Sequence, residues 1–150
     1  LDPYVVFLQE VQDVHERRAA RHKDWPVHPP HEYIADGNWR DLAYGKNAVY
    51  RHGHHGNALL SRFPILLQEN EDISAHPFES RGLLHCIVGL GAKLPELHCI
   101  NVHLGLFERG RQWQVRALCE RIRSPARRRP MSARCRRQGT ASRASLVWRT

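Results

Sequence analysis

No apolar run in this chain of 150 residues approaches the roughly 18 that a membrane-spanning helix needs, so no transmembrane segment is expected. A secretory leader is not legible either, because the apolar stretch Tyr4 to Leu8 is short and is led by an acid, Asp2. The first residue is Leu1 rather than Met and reads as mid-fold, which leaves open a targeting segment upstream. Cysteine is sparse: of 4 in all, Cys86 and Cys99 sit inside apolar strand-like runs, a usage that suits reduced core thiols rather than a disulfide framework. A cytoplasmic setting is the expectation that follows. Acid is missing altogether from Ser124 to Thr150, where Arg127, Arg128, Arg129, Arg134, Arg136, Arg137, Arg143 and Arg149 stand without a single Asp or Glu. The net charge of +8 therefore belongs to the tail, and the 15 Asp and Glu of the chain balance the other Lys and Arg within residues 1–123.

The length suits one domain, able to bury about 70% of the surface its unfolded chain exposes. Tyr4 to Leu8 reads as a buried strand that runs without a turn residue into Gln9 and Glu10, and "EVQDVHERRAARHKDW" reads as a charged surface helix. The proline-rich "PVHPPHEY" is expected to be loop. Short strands are expected at "EYIA", "LAYGKNAVY", "NALLS" after a His/Gly loop at 51–56, and "PILLQENEDI". "RGLLHCIVGL" and "ELHCINVHL" carry the strongest β signal and form a hairpin with a longer loop. In "ERGRQWQVRALCERI" the residues Val115, Leu118, Cys119 and Ile122 recur at helical spacing, which predicts an amphipathic helix packed on a sheet. From Ser124 onward all periodicity is lost. That composition of Arg, Ser, Ala and Pro cannot build a core, so residues 124–150 are read as a disordered basic tail or as sequence translated out of frame.

Four motifs then stand in a fixed order: "VVFLQEV" with Glu10, "GNALLSRFPI" from Gly56, "SRGLL" with Arg81, and "INVHLGL" with His103. This order resembles the endonuclease/exonuclease/phosphatase superfamily, the metal-dependent phosphoesterases related to deoxyribonuclease I, over about residues 1–123. The resemblance implies an α/β fold, part of a four-layer α/β/β/α sandwich with mixed sheets. It further implies that Glu10 is a ligand of a catalytic Mg²⁺, with Mn²⁺ as the alternative metal. Mg²⁺ suits this because it takes hard oxygen ligands, often one or two carboxylates completed by water and substrate phosphate. His103 and Arg81 would contact the scissile phosphate, the imidazole donating to developing negative charge and the guanidinium matching phosphate oxygens two at a time. His54, Asn57 and Asn101 match positions that touch phosphate or substrate in the family, and Gln112 also falls at a family-like position. Each has a structural alternative: a helix-start acid for Glu10, a solvated surface residue for Arg81, and backbone-satisfied polar groups for the rest.

Three parts of the family pattern are expected but not found in the chain. They are a metal-binding Asn on a strand before residue 1, a "GDFN"-like strand near residue 125, and a closing Asp-His pair. The implied function is divalent-metal-dependent hydrolysis of a phosphoric ester, with impaired turnover in this chain. The substrate class spans nucleic acid, inositol phosphates and phospholipids. The alternative is a catalytically inactive domain whose Arg-rich tail binds nucleic acid or another anionic surface. A zinc module on "RHGHHG" (His52, His54, His55) is a third reading, opposed by the lack of a second ligand pair at zinc-site spacing.

Overall fold

The computed structural model describes residues 2–15, 21, 28–35 and 37–123. The strands are β1 (Val5–His15), β2 (Asp41–Tyr50), β3 (Gly53–Ser61), β4 (Ile65–Asp72), β5 (Gly82–Val88) and β6 (Leu97–Val102). The helices are α1 (Pro30–Ala35) and α2 (Glu108–Arg123). Two three-stranded sheets result, in the orders β1-β3-β2 and β4-β5-β6. Their facing surfaces close on Ala43, Leu59, Leu84, Cys86, Val88 and Cys99, with Val5, Phe63, Ile65 and Leu90 packed around them. The central strand β5 is buried at all its residues, as a mainly apolar strand covered on both faces should be, with His85 its one basic residue.

Every strand pair among the described residues is antiparallel, so the mixed sheets expected from the resemblance are not seen there. The connections explain this. Residues 51–52, 73–81 and 89–96 join the paired strands β2–β3, β4–β5 and β5–β6, and links of that length are too short for the crossover that a parallel neighbour needs. The expected β5–β6 hairpin is present and puts Cys86 directly opposite Cys99. Both thiols are free and buried, and burial, helped by Cys99, pushes the Cys86 thiol up to about 12.

Four local expectations are corrected. Residues Val11–His15 continue β1 instead of starting a helix, because β3 offers them partners through Gly56, His55 and Gly53. The rest of that expected helix, apart from Arg21, lies outside the described residues. "PHEYIA" is a short helix and neither loop nor strand. Pro30 takes the first helical position, where its missing N–H costs nothing, and Glu32 and Tyr33 both donate to Pro29 O at 3.0 Å. The His/Gly loop shrinks to Arg51 and His52, since β3 already begins at Gly53. On α2 the predicted apolar stripe does not face a sheet: Val115, Cys119 and Ile122 are exposed, and the buried residue is Gln114. The expected tail from Ser124 lies outside the described residues. No described helix is long and apolar enough to cross a membrane.

The far end of α2 is held to the second sheet by polar contacts. Arg121 pairs with Glu69 and donates to Nδ1 of His85 at 3.1 Å. A guanidinium can only donate, so the His85 Nδ1 accepts and its Nε2–H is left to donate to Nδ1 of His98, 3.0 Å away. Burial, then Arg121 and His98, holds the His85 pKa below the usual histidine range, with Glu69 opposing. Below the ordinary value near 6.5 the unfolded chain takes up this proton before the native chain does, so native stability falls as pH drops toward the depressed folded value. Urea unfolding should therefore show a lower midpoint at pH 5.5 than at pH 7.5, with a visibly flatter pH slope in His85→Gln. Equal slopes in the two proteins would refute this role for His85.

Candidate active site

Sheet-to-sheet hydrogen bonds bring the site residues together. The Asn101 amide donates to Leu8 O at 2.9 Å and Ala58 O at 3.0 Å, and the Asn57 amide donates to Gly82 O at 3.1 Å and Asn101 O at 3.3 Å. Both side chains are buried and direct these donors inward to backbone carbonyls, away from any substrate. Gln9 adds a bond to Val102 O at 2.8 Å, which fixes β1 beside the end of β6.

At this junction β1 carries a bulge. Leu8 pairs with Ala58 and Val11 with Gly56, so Gln9 and Glu10 together oppose the single residue Asn57. Glu10 takes φ 52°, the left-handed region, and is the non-glycine residue with positive φ among those described. That conformation costs an L-residue about 1–2 kcal/mol, and bulges of this kind re-aim side chains next to functional sites. The carboxylate is exposed and lies 3.2 Å from Nδ1 of His103, the first residue after β6. The nitrogen is buried and lacks hydrogen-bond geometry toward any partner, so the contact is electrostatic.

Arg81 enters from the turn before β5. Its guanidinium bonds Glu79 Oε1 and Ser80 O, both at 3.2 Å, while its own N–H is fixed by Ser74 Oγ at 2.9 Å. Tyr50 and His55 complete the group from the ends of the β2–β3 hairpin, the Tyr50 hydroxyl bonding Nδ1 of His55. Burial first and Glu10 second raise the Tyr50 pKa against the opposing charge of Arg81. Burial chiefly lowers the His55 pKa, with Arg81, His103 and His54 acting the same way and Glu10 opposing. These shared fields put Glu10, Arg81, His103, His55 and Tyr50 in one electrostatic neighbourhood.

His54 lies elsewhere: its Nδ1 is 3.2 Å from the Tyr44 hydroxyl, and Tyr44 stacks on the buried His31 at 4.6 Å. The histidines of "RHGHHG" thus diverge, His54 toward Tyr44 and His55 toward Tyr50. No group of three or more His, Cys, Asp or Glu suited to a metal occurs among the described residues. Gln112 is exposed and bonds only Glu108, at 3.4 Å, whereas Gln114, two residues on, is fully buried. Sequence reasoning passed over Tyr50, Glu79 and Gln114, and weighed His55 only as part of a zinc cluster. An adjacent His pair on a strand contains a member for each face, so alternation along β3 was the available signal for His55.

The model of the endonuclease/exonuclease/phosphatase family matches residues 1–146. The chain belongs to that family. It is also 46% identical over 116 residues, 77% of its length, to a protein of Escherichia coli (strain K12) named Uncharacterized protein YbhP, and equally so to the protein of that name in Shigella flexneri. The match covers 46% of each relative, so the chain spans about half the length of the curated relatives it matches. No solved structure matches it.

If the strain at Glu10 is kept for the sake of its carboxylate, removing the side chain should stabilise the fold. Glu10→Gly is expected to gain about 0.5–1 kcal/mol in urea unfolding, the relief of the left-handed penalty net of the greater freedom of the unfolded glycine. A loss of stability would show that the carboxylate is structural.

Proposed function

We propose that the chain forms part of a divalent-metal-dependent phosphoric-ester hydrolase in which Glu10 holds the metal and His103 and Arg81 act on the phosphate. The observation that supports this best is the placement of Glu10, which a left-handed bulge aims outward to within 3.2 Å of His103. Its exposed hard-oxygen carboxylate fits Mg²⁺, or Mn²⁺, which needs only one or two protein carboxylates when water and substrate supply the other ligands. A metal there would contribute Lewis-acid polarisation of a phosphoryl oxygen.

The chain's own residues do the remaining work. The Arg81 guanidinium orients the ester through two parallel N–H donors, and its pairing with Glu79 limits its rotamers. His103 donates a hydrogen bond to the phosphoryl oxygen on which charge develops. His55, whose pKa burial chiefly lowers, holds the Tyr50 hydroxyl by a hydrogen bond. The finer architecture proposed with this reading is the four-layer sandwich. It is supported by α1 lying against β1 and β2 on one side and by the Arg121 contacts of α2 with β4 and β5 on the other.

Hydrolysis of bis(4-nitrophenyl) phosphate by the full chain, measured with Mg²⁺ or Mn²⁺ and again after chelation, tests the reading. Turnover should be slow, should vanish with chelator and with Glu10→Gln, and should fall by about 10²–10³ in His103→Ala. Mn²⁺ added to the labelled protein should also broaden the NMR signals of Glu10 and His103, and not in Glu10→Gln. Absence of both metal-dependent broadening and turnover would sink the proposal.

A further inference from the structure

Glu79 is an acid in the turn between β4 and β5 that the family reading does not use and that enters the proposed chemistry only as the partner of Arg81. It is only 9% exposed, and the turn around it is closed by its own N–H donating to His76 O at 3.0 Å. One oxygen, Oε1, accepts from two sources: the Arg81 guanidinium at 3.2 Å and the backbone N–H of Leu106 at 2.8 Å. Leu106 belongs to the loop that leads directly from His103 into α2. A single carboxylate oxygen therefore ties one phosphate-binding candidate to the loop that carries the other.

The tie belongs to a closed circuit. The Gly105 N–H donates to Gln114 Oε1 at 2.8 Å, and Gln114 Nε2 donates to Ile73 O at 3.2 Å. The Ile73 N–H in turn donates to the Arg81 carbonyl at 2.9 Å, which returns the chain of bonds to its start. Gly105 has no room for a side chain, since a Cβ there would run into the Glu79 carboxylate and crowd the Gln114 amide. A surface ion pair used only for stability requires none of this. A buried carboxylate is retained at a desolvation cost, which its cationic and N–H partners offset.

We propose that Glu79 is a positioning residue that couples Arg81 to His103, so that the two phosphate-binding groups are set as a unit. This rests on the phosphate reading above and adds to it a residue that touches neither metal nor substrate. Loss of the Glu79 charge frees the guanidinium and slackens the loop, and the effect reaches His103 without any direct contact.

The test uses NMR of the full chain, with the Arg81 Nη–H signals, which carry the bond to Glu79, assigned by their loss in Arg81→Lys and the His103 ring signals by their loss in His103→Gln. In Glu79→Gln the Arg81 signals should collapse toward those of exposed arginines, and the His103 ring signals should shift, while the amides of Leu84, Cys86 and Val88 stay in place. Inorganic phosphate, titrated as the probe, should bind about tenfold more weakly, the weight of one charge-assisted hydrogen bond. Gly105→Ala, which displaces the carboxylate without removing it, should reproduce both spectral changes, and Glu79→Asp should restore them in part. These two variants carry the test if Glu79→Gln does not fold. Unmoved His103 signals in a folded Glu79→Gln or Gly105→Ala protein would overturn the coupling. If the spectral coupling appears but the unsubstituted chain binds no phosphate, the coupling stands and the phosphate reading falls.

Discussion

The two sheets hold their relative position through the carboxamide of Asn101. Apolar packing between the sheets is non-directional and would tolerate sliding, because Ala43, Leu59, Leu84 and Val88 meet only flat pleated surfaces. Hydrogen bonds from one buried amide to Leu8 O and Ala58 O allow no such freedom, since a displacement of a few ångströms would leave those carbonyls unsatisfied in a dry interior. Asn57 repeats the device from the opposite sheet toward Gly82 O and Asn101 O. With both in place, the bulge of β1 lies beside the end of β6. Glu10 on that bulge and His103 on the loop just past β6 meet as a consequence.

Much of this was legible in the sequence where the signal is local. Short apolar and β-branched runs bounded by turn residues located β2, β4, β5 and β6 and the hairpin between the last two, and β5 is the one of these four that is buried throughout. The motif order brought Glu10, Arg81 and His103 forward as candidates, and Glu10 lies 3.2 Å from His103. What escaped depends on partners distant in the chain. Val11–His15 are polar enough to pass for a surface helix and are strand only because β3 lies alongside. Pro30 looks like a helix breaker until its position within the helix is known.

Gln114 is the sharpest case. Helical periodicity placed the inner face of α2 at Val115, Leu118, Cys119 and Ile122, yet the chain buries an amide between a loop N–H and a strand carbonyl. Hydrophobic pattern reports what a helix would prefer to cover. It does not report which backbone groups of other elements need a partner, and those needs fixed the orientation of α2 here. Glu79 was missed for the same reason, because its partner Leu106 lies 27 residues further along the chain and only the fold brings that N–H to the oxygen that also holds Arg81.

The tetrapeptide Leu-His-Cys-Ile occurs in both β5 and β6, and the hairpin lays the two copies against each other head to tail with Cys86 opposite Cys99 at the centre. The pairing sets His85 against Ile100, Cys86 against Cys99 and Ile87 against His98. Displacing either strand by a single residue would drive an imidazole into the thiol-lined interior and expel a cysteine to the outer face, and it would separate His85 from His98. The repeated letters therefore act as a vernier for strand alignment, selecting one pairing among neighbours that differ by a few ångströms while the hairpin is still forming.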